Sequence, residues 1–190
     1  MAERAEKSFR PVQRYITTHD PQSYKTTFKT PIPETVDWDR SNSGADLALC
    51  YTTEFPPQMS GDADLKQYAE HLAAEKPPFL IPGGLVVRYV DFHPDCPDLW
   101  HRTVTTDLGV VVEGEIELAL DSGEKRVLKR GDVAVQRGTN HSWRNPSKTE
   151  FARALFVGLD AKPITLGNGE VLGESFGEKG EIFGNSEGAS

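Results

Sequence analysis

Gly131-Asp132-Val133-Ala134-Val135-Gln136-Arg137-Gly138-Thr139-Asn140-His141-Ser142-Trp143-Arg144-Asn145 is the stretch on which the fold assignment turns. A Gly-Asp pair opens it and a short β-forming run follows. Gly138 permits a sharp corner, because glycine carries no Cβ to clash there. The run after the corner sets His141, Trp143 and Asn145 at alternate positions, and alternate residues of a strand share one face. Just upstream, His101-Arg102-Thr103-Val104-Thr105-Thr106-Asp107 leads into Leu108-Gly109-Val110-Val111-Val112-Glu113-Gly114-Glu115. Histidines and a carboxylate thus fall within two neighbouring strand-rich stretches.

Outward from these stretches, the chain reads as short strands with turns. Leu85 to Phe92 is one run; Val110-Val111-Val112 through Leu120 is another. Asp121-Ser122-Gly123 is a tight-turn signal, across which Lys125 to Leu128 pairs back. Val133 to Val135, His141 to Trp143 and Phe151 to Val157 follow. Regular short strands with glycine turns indicate a sandwich or barrel. The segment 11–56 reads as an extended arm with strands near 12–18, 24–28 and 48–53, where Thr and aromatic residues concentrate. One helix is expected near 62–76, with Asp62 as its cap, Leu65, Tyr68 and Leu72 at helical spacing, and Pro77-Pro78 as its stop. The expected division is residues 1–10 disordered, 11–83 an N-terminal arm carrying the helix, 84–160 the barrel and 161–190 a tail with Phe176 and Phe183 as docking points. No internal repeat is evident, so the expectation is one barrel.

Composition narrows the function. A chain of 190 residues fits one domain with extensions, and its 17 Gly and 13 Pro suit a turn-rich β fold. A net charge of −8 argues against a nucleic-acid surface, which needs clustered Lys and Arg. Cys50 and Cys96 show no metal spacing and cannot form a disulfide framework, so a reducing compartment is the simpler reading. There is neither an apolar run of membrane length nor a hydrophobic N-terminal signal. A cytoplasmic protein without a membrane is therefore expected.

The two quoted stretches resemble the paired signature motifs of the cupin superfamily. The resemblance runs over roughly residues 11–160 and extends to single-domain cupins encoded in fungal and bacterial secondary-metabolite gene clusters. It implies an all-β fold, a single jelly-roll barrel (double-stranded β-helix). In the second motif Gly131-Asp132, Gly138, His141 and Asn145 stand in the family's order; the usual proline is missing and the corner is one residue shorter. In the first, Asp107 and Gly114 keep the family's spacing, with Asp107 at the usual Glu position. Trp100 and Arg102 occupy the positions of the two usual histidines, and His101 lies between them. The metal set that the resemblance implies is thus His101, Asp107 and His141. Two His and one carboxylate suit Fe(II) or a similar ion with open positions. With fewer ligands than the usual four, one weakly held divalent ion (Fe, Mn, Ni or Zn) is expected, against a site that has abandoned metal.

His101, Asp107 and His141 are also the catalytic candidates. Trp100, Trp143, Arg88 and Arg153 are the substrate-binding candidates, the arginines for a substrate carboxylate or phenolate. Each has a plainer alternative: a satisfied core or rim histidine, an Asp107 paired with Arg102 or Arg88, core tryptophans, surface arginines. His19 and His93 read as loop residues and His71 as a solvated helix residue. Three functions remain open. One is a lyase or cyclase acting on an oxygenated polyketide-like or aromatic intermediate, with proton transfer by His141 or with a metal. Another is an Fe(II) dioxygenase. The third is a non-catalytic small-molecule-binding cupin. The arm is expected to add strands to the barrel's edge, and its length and its strands' need for edges to pair with lead us to expect a homodimer.

Overall fold

A computed structural model describes residues 9–28, 30–40 and 44–177. The elements run in chain order as β1 (Thr18–His19), β2 (Thr26–Thr27), β3 (Asp39–Arg40), β4 (Ala45–Glu54), α1 (Ala63–Ala73), β5 (Gly84–Phe92), β6 (His101–Arg102) and β7 (Thr105–Glu113). They continue as β8 (Glu115–Leu120), β9 (Lys125–Lys129), β10 (Val133–Arg137), β11 (His141–Arg144), β12 (Ala152–Asp160), β13 (Ile164–Thr165), β14 (Val171–Leu172) and β15 (Ser175–Phe176). The strands assemble into two main antiparallel sheets. One has the order β10-β7-β12-β5-β4-β3, the other β15-β6-β11-β8-β9.

The core lies between the two sheets. Val90, Phe92, Val111, Ala152 and Ala154 project from the six-stranded sheet, and Ile116, Leu128 and Trp143 meet them from the five-stranded one. On β9 Leu128 alternates with exposed residues, but Asp91 and Arg153, between the core positions of β5 and β12, are buried too, so the six-stranded sheet is covered on both faces. A second cluster holds α1 against β4 and β5 through Leu49, Leu65, Tyr68 and Val86. The helix is shorter than the sequence suggests. Asp62 stands at φ +54 with no capping bond, and its carboxylate accepts the Thr18 hydroxyl at 2.6 Å instead. His71, read as solvated, meets the Thr52 hydroxyl at 2.8 Å.

β4, read from sequence as part of the arm, pairs with β5 from Ala45↔Phe92 to Glu54↔Gly84. It therefore belongs to the main sheet. The remaining arm crosses the sheet's outer face, where Val12, Val36 and Trp38 pack on Ala48, Cys50, Val87 and Tyr89. Glu117 meets Lys125 at 3.0 Å and Arg144 at 3.2 Å, and Glu113 meets Arg130 at 2.6 Å. Of the terminal expectations, residues 1–8 and Phe183 lie outside the described residues. Phe176 packs edge-on to Phe79 and stacks at 6.5 Å from His101.

Candidate active site

The inner face of the six-stranded sheet sets the site in rows. Asp107, Gly158 and Val86 lie opposite one another across β7, β12 and β5; Gly109, Phe156 and Arg88 form the next row. The facing wall comes from β6 and β11, where His101 and His141 are direct cross-strand partners. A cavity between these walls is lined by His101, Thr103, Asp107, His141, Trp143 and Arg88. Its remaining lining is almost wholly apolar, with Leu47, Val86, Val90, Phe92, Leu99 and Phe156 among it, and Phe79 and Leu80 close one side.

His101 enters the cavity because positions 101, 103, 105 and 107 keep one parity. Thr103 and Thr105 are buried, their hydroxyls 2.6 Å apart. Trp100 and Arg102 fall on the other parity. Trp100 does not line the cavity, and Arg102 donates to the Gly173 carbonyl at 2.7 Å. Arg153 also lies elsewhere. It forms a buried pair with Asp91 (2.6 and 2.8 Å) and faces the Phe9, Trp38 and Tyr89 rings. Its guanidinium is saturated by the fold, so it is not placed to meet a ligand in this cavity. Sequence reading missed Thr103, Thr105, Phe79 and Phe156. The alternation back from Asp107 was the available signal for the two threonines.

The two imidazoles are held close, ring centroids 4.3 Å apart. Nδ1 of His101 donates to the Leu99 carbonyl and Nδ1 of His141 to the Thr139 carbonyl, each at 2.9 Å. A carbonyl only accepts, so each proton sits on Nδ1 and each Nε2 keeps its lone pair. For His141 no partner of Nε2 occurs among the described residues. Burial, and then the neighbouring His101, pulls the His141 pKa down to about 3; burial likewise lowers that of His101. Both rings are therefore neutral at physiological pH. Asp107 moves the other way. Burial raises it to about 6, partly offset by hydroxyl bonds from Thr105 (2.9 Å) and Thr103 (3.4 Å) and by the charge of Arg88.

The metal set expected from sequence does not gather into one donor cluster. No group of three or more His, Cys, Asp and Glu side chains that could hold an ion occurs among the described residues. His101 and His141 offer two neighbouring nitrogens, while one oxygen of Asp107 is turned to Thr105 and Thr103. Asn145 serves the fold: its amide donates to the Phe92 and Glu150 carbonyls.

Gly158 leaves the room that Asp107 fills. A Cβ there would lie 2.9 Å from the Asp107 carboxylate oxygen. Gly158→Ala is expected to push this side chain off its threonine bonds. Activity should fall at least about tenfold while the melting temperature drops only a few degrees. Parallel assay and thermal melts check this.

With the geometry in place, comparison with known proteins fixes the family. A family model described as "Cupin domain" matches residues 88–158. "Oryzines biosynthesis cluster protein J" of Aspergillus oryzae is 62% identical over 174 residues, covering 91% of this chain and 96% of that protein. "Phomopsin biosynthesis cluster protein D" of Diaporthe leptostromiformis is 47% identical over 161 residues, 84% of each chain. "Cupin-domain-containing oxidoreductase srdB" of Neurospora crassa is 37% identical over 159 residues, 84% of this chain and 78% of that one. The two-sheet β architecture, the Gly131–Asn145 motif and these matches agree: the chain belongs to the cupin family.

Proposed function

We propose that this cupin is an enzyme of small-molecule biosynthesis that moves protons on an oxygenated, largely apolar intermediate, in lyase or cyclase chemistry. The observation that carries this reading is Asp107, a carboxyl raised to about 6 in an apolar cavity, facing the same space as His141. A group titrating near the working pH is the best proton carrier. His141, held near 3, is a poor resting base, so the proton-moving role suits Asp107 better than the histidine favoured from sequence. The lone pair on Nε2 of His141 would accept a hydrogen bond from a substrate hydroxyl and orient it. In a dehydration, the Asp107 carboxylate would take a proton from carbon and return it to the departing hydroxyl, which leaves as water. Decarboxylation and ring closure need the same carrier.

The relatives support the setting, since two of them are described by their biosynthesis clusters. A second reading, oxidation with Fe(II) and O₂, rests on relatives described as oxidoreductases from Neurospora crassa and Hypocrea virens. A divalent ion on His101 and His141 would serve it, or would act as a Lewis acid in lyase chemistry. The test is conversion of the intermediate that accumulates when the gene is deleted. Loss of water or CO₂, or an isomer of unchanged mass, without O₂ uptake supports proton transfer. Gain of oxygen or loss of two hydrogens, with O₂ uptake, supports oxidation; an intermediate that the protein binds unchanged supports a non-catalytic role. EDTA-stripped protein given Fe(II), Mn(II), Ni(II) or Zn(II) separately then reports the metal requirement; on the proton-transfer reading, stripped protein keeps its turnover.

We also place a second copy of the chain among the partners. Val133 and Val135 of edge strand β10 and Leu108 beside them are exposed. Light scattering at micromolar concentration should then give twice the chain mass; the mass of one chain would refute it.

A further inference from the structure

The described chain contains two arginines on the β5–β12 strand pair whose surroundings differ sharply. Arg153 has what a buried guanidinium needs: a bidentate carboxylate from Asp91, the Arg10 carbonyl and three aromatic rings. Arg88, cross-strand from Phe156, points instead into the candidate active-site cavity. One nitrogen, Nη2, donates to the Pro78 and Phe79 carbonyls at 2.9 and 3.2 Å, and the guanidinium lies 4.4 Å from the Phe79 ring centre. Nη1 and Nε have no acceptor among the described residues. Asp107 lines the same cavity and its charge is felt by Arg88, but its hydrogen bonds go to Thr105 and Thr103. Burial lowers the Arg88 pKa only to about 10, so it stays charged at neutral pH.

A charge among Val86, Val90, Leu47 and Phe156 is costly unless an anion faces it. The fold itself supplies two carbonyl dipoles, an aromatic face and the charge of Asp107, which acts on Arg88 without a direct hydrogen bond. We propose that Arg88 anchors an acidic group of the substrate, so that the cavity takes an organic acid carrying an apolar chain. This rests on the reading of the cavity as the substrate site and deepens it by naming the substrate class. A monoanion matches the one guanidinium. A phosphate dianion would put surplus negative charge beside Asp107. The planar fork of arginine suits a carboxylate, two parallel N–H donors to two oxygens. The anchored acid would lie along the Arg88–Phe156–Gly109 row, one strand row from Asp107, with its chain against Trp143 and Leu99. Phe79, between Arg88 and Phe176, would cover it.

Octanoate and octanamide test this by isothermal titration calorimetry. They share a chain and differ in charge. Octanoate is expected to bind wild-type protein about tenfold or more tightly than the amide. Arg88→Met should bring octanoate down to the amide's level and leave the amide unchanged; Arg88→Lys should fall between. Equal binding of acid and amide, binding of neither at millimolar concentration, or an Arg88→Met protein that keeps wild-type octanoate affinity would each overturn the proposal. If Arg88→Met does not fold, the acid–amide comparison on wild type decides alone. The result is separable from the proton-transfer reading. If Asp107→Asn keeps full turnover, that reading fails while the acid preference stands; if acid and amide bind alike, the anchor fails while proton transfer stands.

Discussion

His141→Ala is expected to lower turnover by about 10²-fold, the cost of a substrate hydroxyl no longer held in place. The fold should survive. His141 is only 2% exposed, yet it borders an existing cavity and its Nε2 is unpartnered among the described residues. Truncation therefore enlarges a space already present, and a cost of about 1 kcal/mol or less is expected instead of the several for a packed core side chain. Asp107→Asn should cost more, about 10²- to 10⁴-fold, since the amide keeps the shape but cannot carry the proton. Single-turnover assay beside urea unfolding checks both. Full activity in His141→Ala would remove it from the chemistry.

The second large effect is in acid, for protein stripped with EDTA. His141 has a folded pKa near 3 against an ordinary 6.5, so its contribution is complete above 6.5 and is lost as pH falls towards 3. Between pH 6.5 and 3 that loss is on the order of 4 kcal/mol. His101, also lowered, adds to it. Asp107 opposes them. Its folded pKa near 6 exceeds the usual 3.8, so stability is gained as pH falls from about 7 to 4, roughly 3 kcal/mol. The two nearly cancel down to about pH 4, and below that the histidine loss runs unopposed. Asp107→Asn should therefore begin to lose stability near pH 6, and His141→Gln should resist acid better than wild type. Urea midpoints taken every half unit from pH 7 to 3 would show it; a wild-type profile unchanged by either substitution would refute the assignment.

Much of this site was legible along the chain wherever the information is local. Gly138 does turn a corner with φ +58, between β10 and β11, and His141 and Trp143 lie buried beyond it. The spacing from Asp107 to Gly114 fits β7 and its turn, because both are properties of one strand. What was hidden depends on which strands become neighbours. Arg88 and Arg153 look alike in sequence. Only pairing across β5 and β12 gives one a carboxylate and sets the other facing open space. Phe79 and Phe176 come from distant segments, so no spacing rule links them to His101. Trp100 was assigned by motif position, and strand parity overrode it.

The place of β12 has a consequence for how the protein is made. This strand lies between β5 and β7, although it is synthesised after both. While the ribosome is extending residues 114–151, the facing edges of β5 and β7 have no partner in the sheet. Open edges of that kind recruit other chains. A translation pause before Ala152 would thus prolong the exposure of two adhesive borders, and a stop codon there would release a chain that carries them. In a heterologous host, more chaperone should raise the soluble yield of this cupin. Shortening the chain after Asp160 would leave both borders sealed.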